Sequence, residues 1–168
     1  MYTQQQILEN KFSEASTGND NKKLIQSRFG NVAVNLEKTI FFPSGLLGMP
    51  DKQYFCLADF PKKEEIQFKV LQSLDDINLT FMVLPLPVSN ALIDGSDIED
   101  ICNILGTTID NITIILIASV HNTPNGKNIS VNVRAPLIIN LEEQAAAQYV
   151  FPSNKYKIRH MLSELNGK

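Results

Sequence analysis

The sequence predicts a mainly β domain that carries one or two short helices. Most of its apolar residues lie in short runs that alternate with polar residues or are rich in β-branched side chains, and Gly, Pro and Asn separate the runs. One stretch, residues 96–105, combines helical spacing of apolar residues with start and stop signals. The length of 168 residues and the hydrophobic content of 43% suit one compact core.

The first 21 residues are expected to form a polar, flexible N-terminal arm. They are rich in Gln, Asn, Lys, Glu and Ser, and the spacing of Ile7, Leu8 and Phe12 is compatible with a short amphipathic helix. Residues 22–168 are then expected to form a single folded domain.

Six strands are predicted in the first half of the chain, at residues 24–29, 32–36, 39–42, 53–58, 66–71 and 79–85. Gly30-Asn31 between the first two strands predicts a hairpin. Asp75 and Asp76 follow the fifth strand, and we expect them to accept backbone hydrogen bonds in a turn rather than to act as an acid and base pair.

Residues 43–50 are predicted to form an irregular loop, because two prolines and two glycines interrupt regular structure. The loop also carries Leu46, Leu47 and Met49. These side chains either pack under the sheet or contact a partner, and packing is favoured because apolar loop residues usually pack.

Residues 96–105 are predicted to form an α-helix packed on the sheet. Ser96 and Glu99 have the spacing of a capping box, and Gly106 suits a left-handed helix stop. The acidic first turn is either a solvated, dipole-matched helix end or a surface for a basic partner. Its acidic residues are Asp94, Asp97, Glu99 and Asp100.

Three further strands are predicted in the second half, at residues 111–120, 129–133 and 137–141. The first two are expected to pair across a turn at Asn125-Gly126, and Glu142-Glu143 forms a turn after the third. The alanine-rich run 145–151 is compatible with helix or strand, and residues 156–162 with a last turn of helix.

Residues 132–140 place polar groups in an apolar, β-prone run. Asn132, Arg134 and Asn140 need partners, because a buried polar group without a hydrogen bond costs about 1–3 kcal/mol, and a charge costs more. Pro136 confines the stretch to an edge, a bulge or a strand start. The stretch is therefore either a solvated edge strand or a recognition surface.

Composition argues against several classes of function. The net charge of −3 disfavours direct binding to nucleic acid. Cys56 and Cys102 lack metal-ligand spacing and are interpreted as buried thiols of a cytoplasmic protein. The sequence has no signal peptide, no membrane-spanning stretch, no nucleotide-binding loop and no triad motif, so we expect no membrane, cofactor, metal or enzymatic activity.

Four motifs occur in order along the chain: FFPSGLLG at residues 41–48, LQSLDD at 71–76, NVRAPLIIN at 132–140 and YKIRH at 156–160. Together they resemble the flagellar assembly factor family FliW, over Leu24 to about Leu162. Met49 departs from the aromatic residue that the family usually has there, and the N-terminal arm has no counterpart in the family.

The resemblance implies a compact, mostly antiparallel β-barrel-like domain that is not an enzyme. It also implies two partners, flagellin and the RNA-binding translational repressor CsrA. Flagellin held in the cytoplasm would occupy the protein, and flagellin secretion would free it to capture CsrA and relieve repression of the flagellin messenger. An acidic chain, expected to be a monomer, suits a basic partner of this kind.

Seven residues are predicted to contact partners: Gln72, Asp97, Glu99, Asp100, Asn132, Arg134 and Asn140. Arg134 has a structural alternative, in which it pairs with Asp75, Asp76 or a glutamate. Two other functions are considered. One is a small β-barrel hydrolase or ligand-binding protein with a polar pocket around Arg134, and the other is direct RNA binding, for which the sequence lacks a basic aromatic stripe.

Overall fold

The computed structural model describes residues 21–62 and 67–162. Within these ranges the chain forms eleven strands, one α-helix and two short 3-10 helices, so the prediction of a mainly β fold is confirmed. The predicted N-terminal arm lies outside the described residues, except for Asn21.

The strands are numbered in chain order: β1 (Lys22–Ser27), β2 (Gly30–Asn35), β3 (Ile40–Phe41), β4 (Tyr54–Asp59), β5 (Lys69–Ser73), β6 (Thr80–Leu86), β7 (Ile112–Thr123), β8 (Gly126–Val131), β9 (Leu137–Asn140), β10 (Ala145–Gln148) and β11 (His160–Met161). The helix α1 spans Gly95–Leu105, and the 3-10 helices span Leu36–Lys38 and Ile109–Asn111.

Seven strands close into a ring-like sheet. The order β7-β6-β5-β4-β3-β10-β9 returns to β7, because β7 pairs with both β6 and β9. The neighbours are antiparallel except β3 and β10, whose parallel pairing is limited to Phe41 and Ala145. The far half of β7 pairs with β8, and β11 adds to β8. The ring agrees with the expected antiparallel, barrel-like domain.

Every strand of the ring contributes to one apolar cluster, which fills its interior. The cluster includes Phe42, Phe55, Leu71, Val83 and Ile115, all fully buried. Because successive side chains of a strand point to opposite faces, Ile114 and Leu116 of β7 face outward. They pack with Ile98, Ile101 and Cys102 of α1 in a second cluster. Helix α1 thus covers the outer face of β7, which explains why this strand is apolar on both faces.

The hairpin of β1 and β2 covers another part of the outer face. Its register runs from Lys22 with Asn35 to Ser27 with Gly30, as the Gly30-Asn31 turn signal predicted. Ile25, Val32 and Val34 of the hairpin pack on Val70 and Leu74, on the side of β5 that faces away from the ring interior. This cover makes β5 a strand that is buried on both faces.

Helix α1 begins one residue before the predicted range, and its N-cap differs. Asp94 is the N-cap, and its side chain makes no capping hydrogen bond. Ser96 lies inside the first turn, so the capping-box prediction is wrong. The predicted stop is confirmed, because Gly106 has φ of 67° and its N–H reaches the carbonyl groups of Cys102 and Asn103. No helix among the described residues is long and apolar enough to span a membrane.

Two open assignments near the C-terminus are settled as strands. The alanine-rich run forms β10, which pairs with β9 from Ala145 to Gln148. The prediction of a last helical turn in residues 156–162 is wrong, because His160 and Met161 pair with Val131 and Ser130 of β8 as strand β11.

Candidate protein-binding surface

The seven predicted contact residues lie in four separate places. Gln72 is on β5, and Asn140 ends β9. Asp97, Glu99 and Asp100 lie in the first half of α1. Asn132 and Arg134 lie in the connection between β8 and β9. Contacts bring two of these places to one segment, since Arg134 bonds to Asn154 and Asp97 to Lys155.

Gln72 is fully buried, so the expectation that its side chain is exposed is wrong. Its Nε2 lies 2.9 Å from the carbonyl oxygen of Ser73, 3.0 Å from that of Ile77 and 3.3 Å from that of Leu79. Its Oε1 accepts a hydrogen bond of 2.7 Å from Thr80 Oγ1. The amide therefore organises the turn between β5 and β6 from inside.

The two aspartates after β5 stabilise neighbouring backbone, as predicted. Asp75 accepts hydrogen bonds from the N–H groups of Gln53 and Tyr54, at 2.8 and 2.9 Å. Asp76 accepts from the N–H of Asn78 at 3.0 Å. The LQSLDD motif is thus largely a set of internal contacts that fix the turn between β5 and β6.

Asp97 is bound to the segment that follows β10. Lys155 Nζ lies 2.6 Å from Asp97 Oδ2 and 2.6 Å from Asp94 Oδ2, and the Tyr156 hydroxyl also donates to Asp97. Lys155 and then Tyr156 hold the pKa of Asp97 below its usual range. Tyr156 in turn accepts a 3.0 Å hydrogen bond from the Asp94 N–H. These contacts fasten the start of α1 to the C-terminal part of the domain.

Glu99 and Asp100 are the acidic residues of α1 that solvent reaches freely, since both are exposed. They lie on the side of α1 away from buried Ile98, Ile101 and Cys102. A neighbouring apolar residue, Ile104, is also exposed at 65%. The outer face of α1 therefore offers two carboxylates and an apolar side chain to a partner.

Asn132 and Arg134 are half-buried, and both have partners within the chain. Asn132 Oδ1 accepts from the N–H of Ala135 at 3.0 Å. Arg134 Nη1 donates to Asn154 Oδ1 at 2.9 Å, and its Nε lies 3.4 Å from the carbonyl oxygen of Phe151. Both acceptors, the Phe151 carbonyl and the Asn154 side-chain amide, are uncharged. These contacts therefore do not include the ion pair with a carboxylate that the structural alternative predicted.

Asn140 closes the turn between β9 and β10. Its Oδ1 accepts from the N–H groups of Glu142 and Glu143, at 3.1 and 3.2 Å, and its Nδ2 lies 3.4 Å from Thr107 Oγ1. Glu142 and Glu143 form the predicted turn and are both exposed. Asn140 thus positions an acidic turn.

The loop of residues 43–50 divides its apolar residues between two roles. Leu46 is buried in the ring interior, whereas Leu47 is 61% exposed. The Leu46 N–H donates to the Met49 carbonyl oxygen at 3.3 Å, and the Met49 N–H donates to the Leu46 carbonyl oxygen at 2.8 Å. Leu47 and Gly48 therefore form the tip of a tight turn. The favoured expectation that these side chains pack is confirmed for Leu46 and wrong for Leu47, whose exposure leaves the alternative of a partner contact.

Metal and thiol chemistry find no support among the described residues. Within residues 21–62 and 67–162, no group of three His, Cys, Asp or Glu residues is placed to hold a metal ion. Cys56 and Cys102 are both buried free thiols, and burial raises the pKa of Cys56 to about 11. A thiol with this pKa is a poor nucleophile near neutral pH.

The chain is similar in sequence to flagellar assembly factors named FliW. Residues 23–162 match the family model described as FliW protein. The flagellar assembly factor FliW of Oceanobacillus iheyensis is 28% identical over 131 residues, which cover 77% of this chain and 86% of that protein. The flagellar assembly factor FliW of Caldanaerobacter subterraneus subsp. tengcongensis is 27% identical over 143 residues, which cover 84% of this chain and 93% of that protein.

The fold is also similar to a solved structure. A crystal structure of the flagellar assembly factor FliW aligns with a TM-score of 0.59 and 20% identity, and the alignment covers 84% of this chain and 96% of that chain. The ring and the four motifs lie inside the region that the family model matches, and so does the hairpin apart from Lys22. The resemblance read from the motifs is confirmed, and the chain belongs to the FliW family of flagellar assembly factors.

Proposed function

We propose that this protein works in the cytoplasm as a binding protein with two partners, flagellin and the translational repressor CsrA. Flagellin that awaits secretion occupies it, and flagellin secretion frees it to capture CsrA, so that translation of flagellin follows the amount still held in the cell. The observation that carries this proposal is the match of residues 23–162 to the FliW family.

The outer face of α1 supports the CsrA part of the proposal. Glu99 and Asp100 are exposed there and lie outside the contacts of Lys155 with Asp94 and Asp97. A protein that binds RNA presents basic side chains, and opposite charges speed association of two proteins. The exposed carboxylates of α1 are therefore where we place the encounter with CsrA.

No observation favours a hydrolase or a ligand-binding barrel centred on Arg134. The guanidinium contacts Phe151 and Asn154, and no acid and base converge on it among the described residues. Gln72 offers no polar group to a pocket either, because its amide is buried in the turn between β5 and β6.

Titration of the purified protein with flagellin and with CsrA tests the proposal. We expect each to bind, and we expect saturation with flagellin to block the capture of CsrA. An unrelated basic RNA-binding protein serves as the control for charge alone. The proposal is wrong if neither partner binds, and the switch is wrong if both bind at the same time without affecting each other.

A further inference from the structure

A cleft of about 440 Å³ separates β10 from the chain that leaves β3. One wall is formed by residues 43–48 and Pro50, and the other by Ala146, Ala147 and Gln148. The cleft exists because β3 pairs with β10 only at Phe41 and Ala145, and Pro43 then follows. Proline has no N–H to continue the ladder, so the chain turns away from β10.

The wall formed by β10 is an open strand edge. Tyr149 N–H bonds to the carbonyl oxygen of Pro136 in the same antiparallel register that pairs Ala147 with Ile138. Bonded and non-bonded pairs alternate along an antiparallel ladder, so Ala147 bonds to β9 while the backbone groups of Ala146 and Gln148 point the other way. The Ala146 N–H faces Phe41 in the bridge between β3 and β10, which leaves the Ala146 carbonyl and the backbone groups of Gln148 toward the cleft. Beyond Ala145, the described part of the chain places no strand on that side of β10.

Leu47 stands at the lip of this cleft on a rigid loop. Gly45 has φ of 64°, and a Cβ there would collide with the carbonyl oxygen of Met49 and the backbone of Pro50. The N–H of Leu47 donates to Gln148 Oε1 at 2.9 Å, which holds the tip near the end of β10. These contacts place the exposed leucine beside the end of β10.

A second cleft of about 170 Å³ adjoins the first, with which it shares Pro43, Ala146 and Ala147. Leu105 at the end of α1 contributes to its mostly apolar lining. Among the described residues that line the two clefts, Glu143 alone is charged. Together the clefts offer apolar surface, an open strand edge and one carboxylate.

We propose that an extended apolar segment of flagellin adds to the open edge of β10, places its side chains in the two clefts, and brings a basic side chain to Glu143. An extended segment fits because its backbone N–H and C=O groups are free to pair with a strand edge, whereas those of a helix are bonded internally. This proposal rests on the proposed function.

Flagellin is the partner whose chemistry fits the clefts. A subunit that is held before it polymerises exposes apolar surface that its neighbours will later cover, and the clefts can cover apolar surface of this kind. A basic RNA-binding protein instead fits the exposed carboxylates of α1, which lie outside both clefts.

Two matched pairs of variants test the clefts with purified flagellin as the probe. Gln148→Pro removes an N–H that points into the cleft, while Gln148→Ala removes only the side chain; an outward-facing N–H is the position that proline tolerates on an edge strand. Leu47→Ser removes the exposed apolar tip, while Leu24→Ser changes a leucine that is 67% exposed on the distant β1. Thermal unfolding of each variant confirms that it folds.

We expect Q148P to weaken flagellin binding at least tenfold relative to Q148A, and L47S to do so relative to L24S. At low salt, Glu143→Gln should weaken binding several-fold, and Glu142→Gln should not. If Q148P and L47S bind flagellin as their controls do, the cleft proposal is overturned while the proposed function stands. If the unmodified protein does not bind flagellin, the proposed function fails and the cleft proposal falls with it.

Discussion

Arg134 Nη1 donates a 2.9 Å hydrogen bond to Asn154 Oδ1 and thereby ties the connection between β8 and β9 to the segment after β10. Backbone bonds reinforce this tie, because the N–H of Arg134 donates to Lys157 and its carbonyl oxygen accepts from Phe151. These contacts favour the structural role of Arg134 over the binding role.

Arg134→Ala should lower the free energy of unfolding of the isolated protein by about 1–2 kcal/mol, because it removes hydrogen bonds from a charged donor. Urea unfolding measures the change, and Arg159→Ala, at an exposed arginine, should stay within about 0.5 kcal/mol of the original protein. A variant with unchanged stability and weakened binding to flagellin or CsrA would restore the binding role.

Asp97→Asn should destabilise the protein by about 1 kcal/mol at neutral pH, since the charge that Lys155 and Tyr156 favour is lost. The pKa of Asp97 is lowered in the folded state, so its contribution is complete above 3.8, the ordinary value for aspartate, and disappears as pH falls through the lower folded value. The difference between the two proteins should therefore shrink below pH 3.8. Asp100→Asn is the control, and a difference that stays constant down to strongly acidic pH contradicts the assignment.

Gln72→Leu should cost about 3 kcal/mol of unfolding free energy, because it leaves buried carbonyl oxygens in the turn between β5 and β6 without a donor. Thr80→Val removes only one bond to the same amide and should cost less. Denaturant unfolding of both variants checks the order. A stable Q72L protein that no longer binds a partner would show that the glutamine reaches the surface.

Gly45→Ala should be much more destabilising than Gly48→Ala. Both glycines have positive φ, at 64° and 78°, so alanine strains the backbone at either position by about 1 kcal/mol or more. A Cβ at Gly45 also collides with backbone, whereas a Cβ at Gly48 meets nothing within 4 Å. Thermal unfolding should show the lower melting temperature for Gly45→Ala. Equal melting temperatures would mean that the backbone around Gly45 shifts to accommodate the Cβ.

Reversing the charges of Glu99 and Asp100 to lysine should slow association with CsrA at low salt and leave flagellin binding unchanged. The fold should be preserved, because both side chains are exposed on the outer face of α1. Stopped-flow association rates at two ionic strengths measure the effect, and reversal of Glu37, an exposed acid of the 3-10 helix after β2, is the control. Equal on-rates for the original and reversed proteins would remove α1 from the encounter surface.

The strands could be predicted from the sequence because most of them bury one or both faces in a regular way. The β1 and β2 hairpin follows from its glycine turn, and the apolar residues of β7 signal burial on both faces. The role of Gln72 could not be predicted, since an amide in an alternating run usually indicates a solvent-exposed face. The hairpin packs on Val70 and Leu74 on that side of β5, and a local pattern does not contain this contact.

The candidate surfaces could be predicted only where they depend on local sequence. Local charge identified Glu99 and Asp100 on α1, but it gave no sign that Asp97 is held by Lys155 from the other end of the domain. The clefts beside β10 depend on where β3 stops pairing and on a contact between Leu47 and Gln148 that spans 101 residues of chain. No short motif encodes a contact of this length.

The single pairing of Phe41 with Ala145 also has a consequence for how the protein is made. This pairing closes a loop that contains most of the described chain. Closing a long loop costs entropy before its contacts form, and folding slows as contacts become less local. During synthesis the first strands of the ring must wait, with open edges, until β9 and β10 have left the ribosome. The strands that close the ring also build the clefts, so a nascent chain cannot use those clefts until its synthesis is nearly complete.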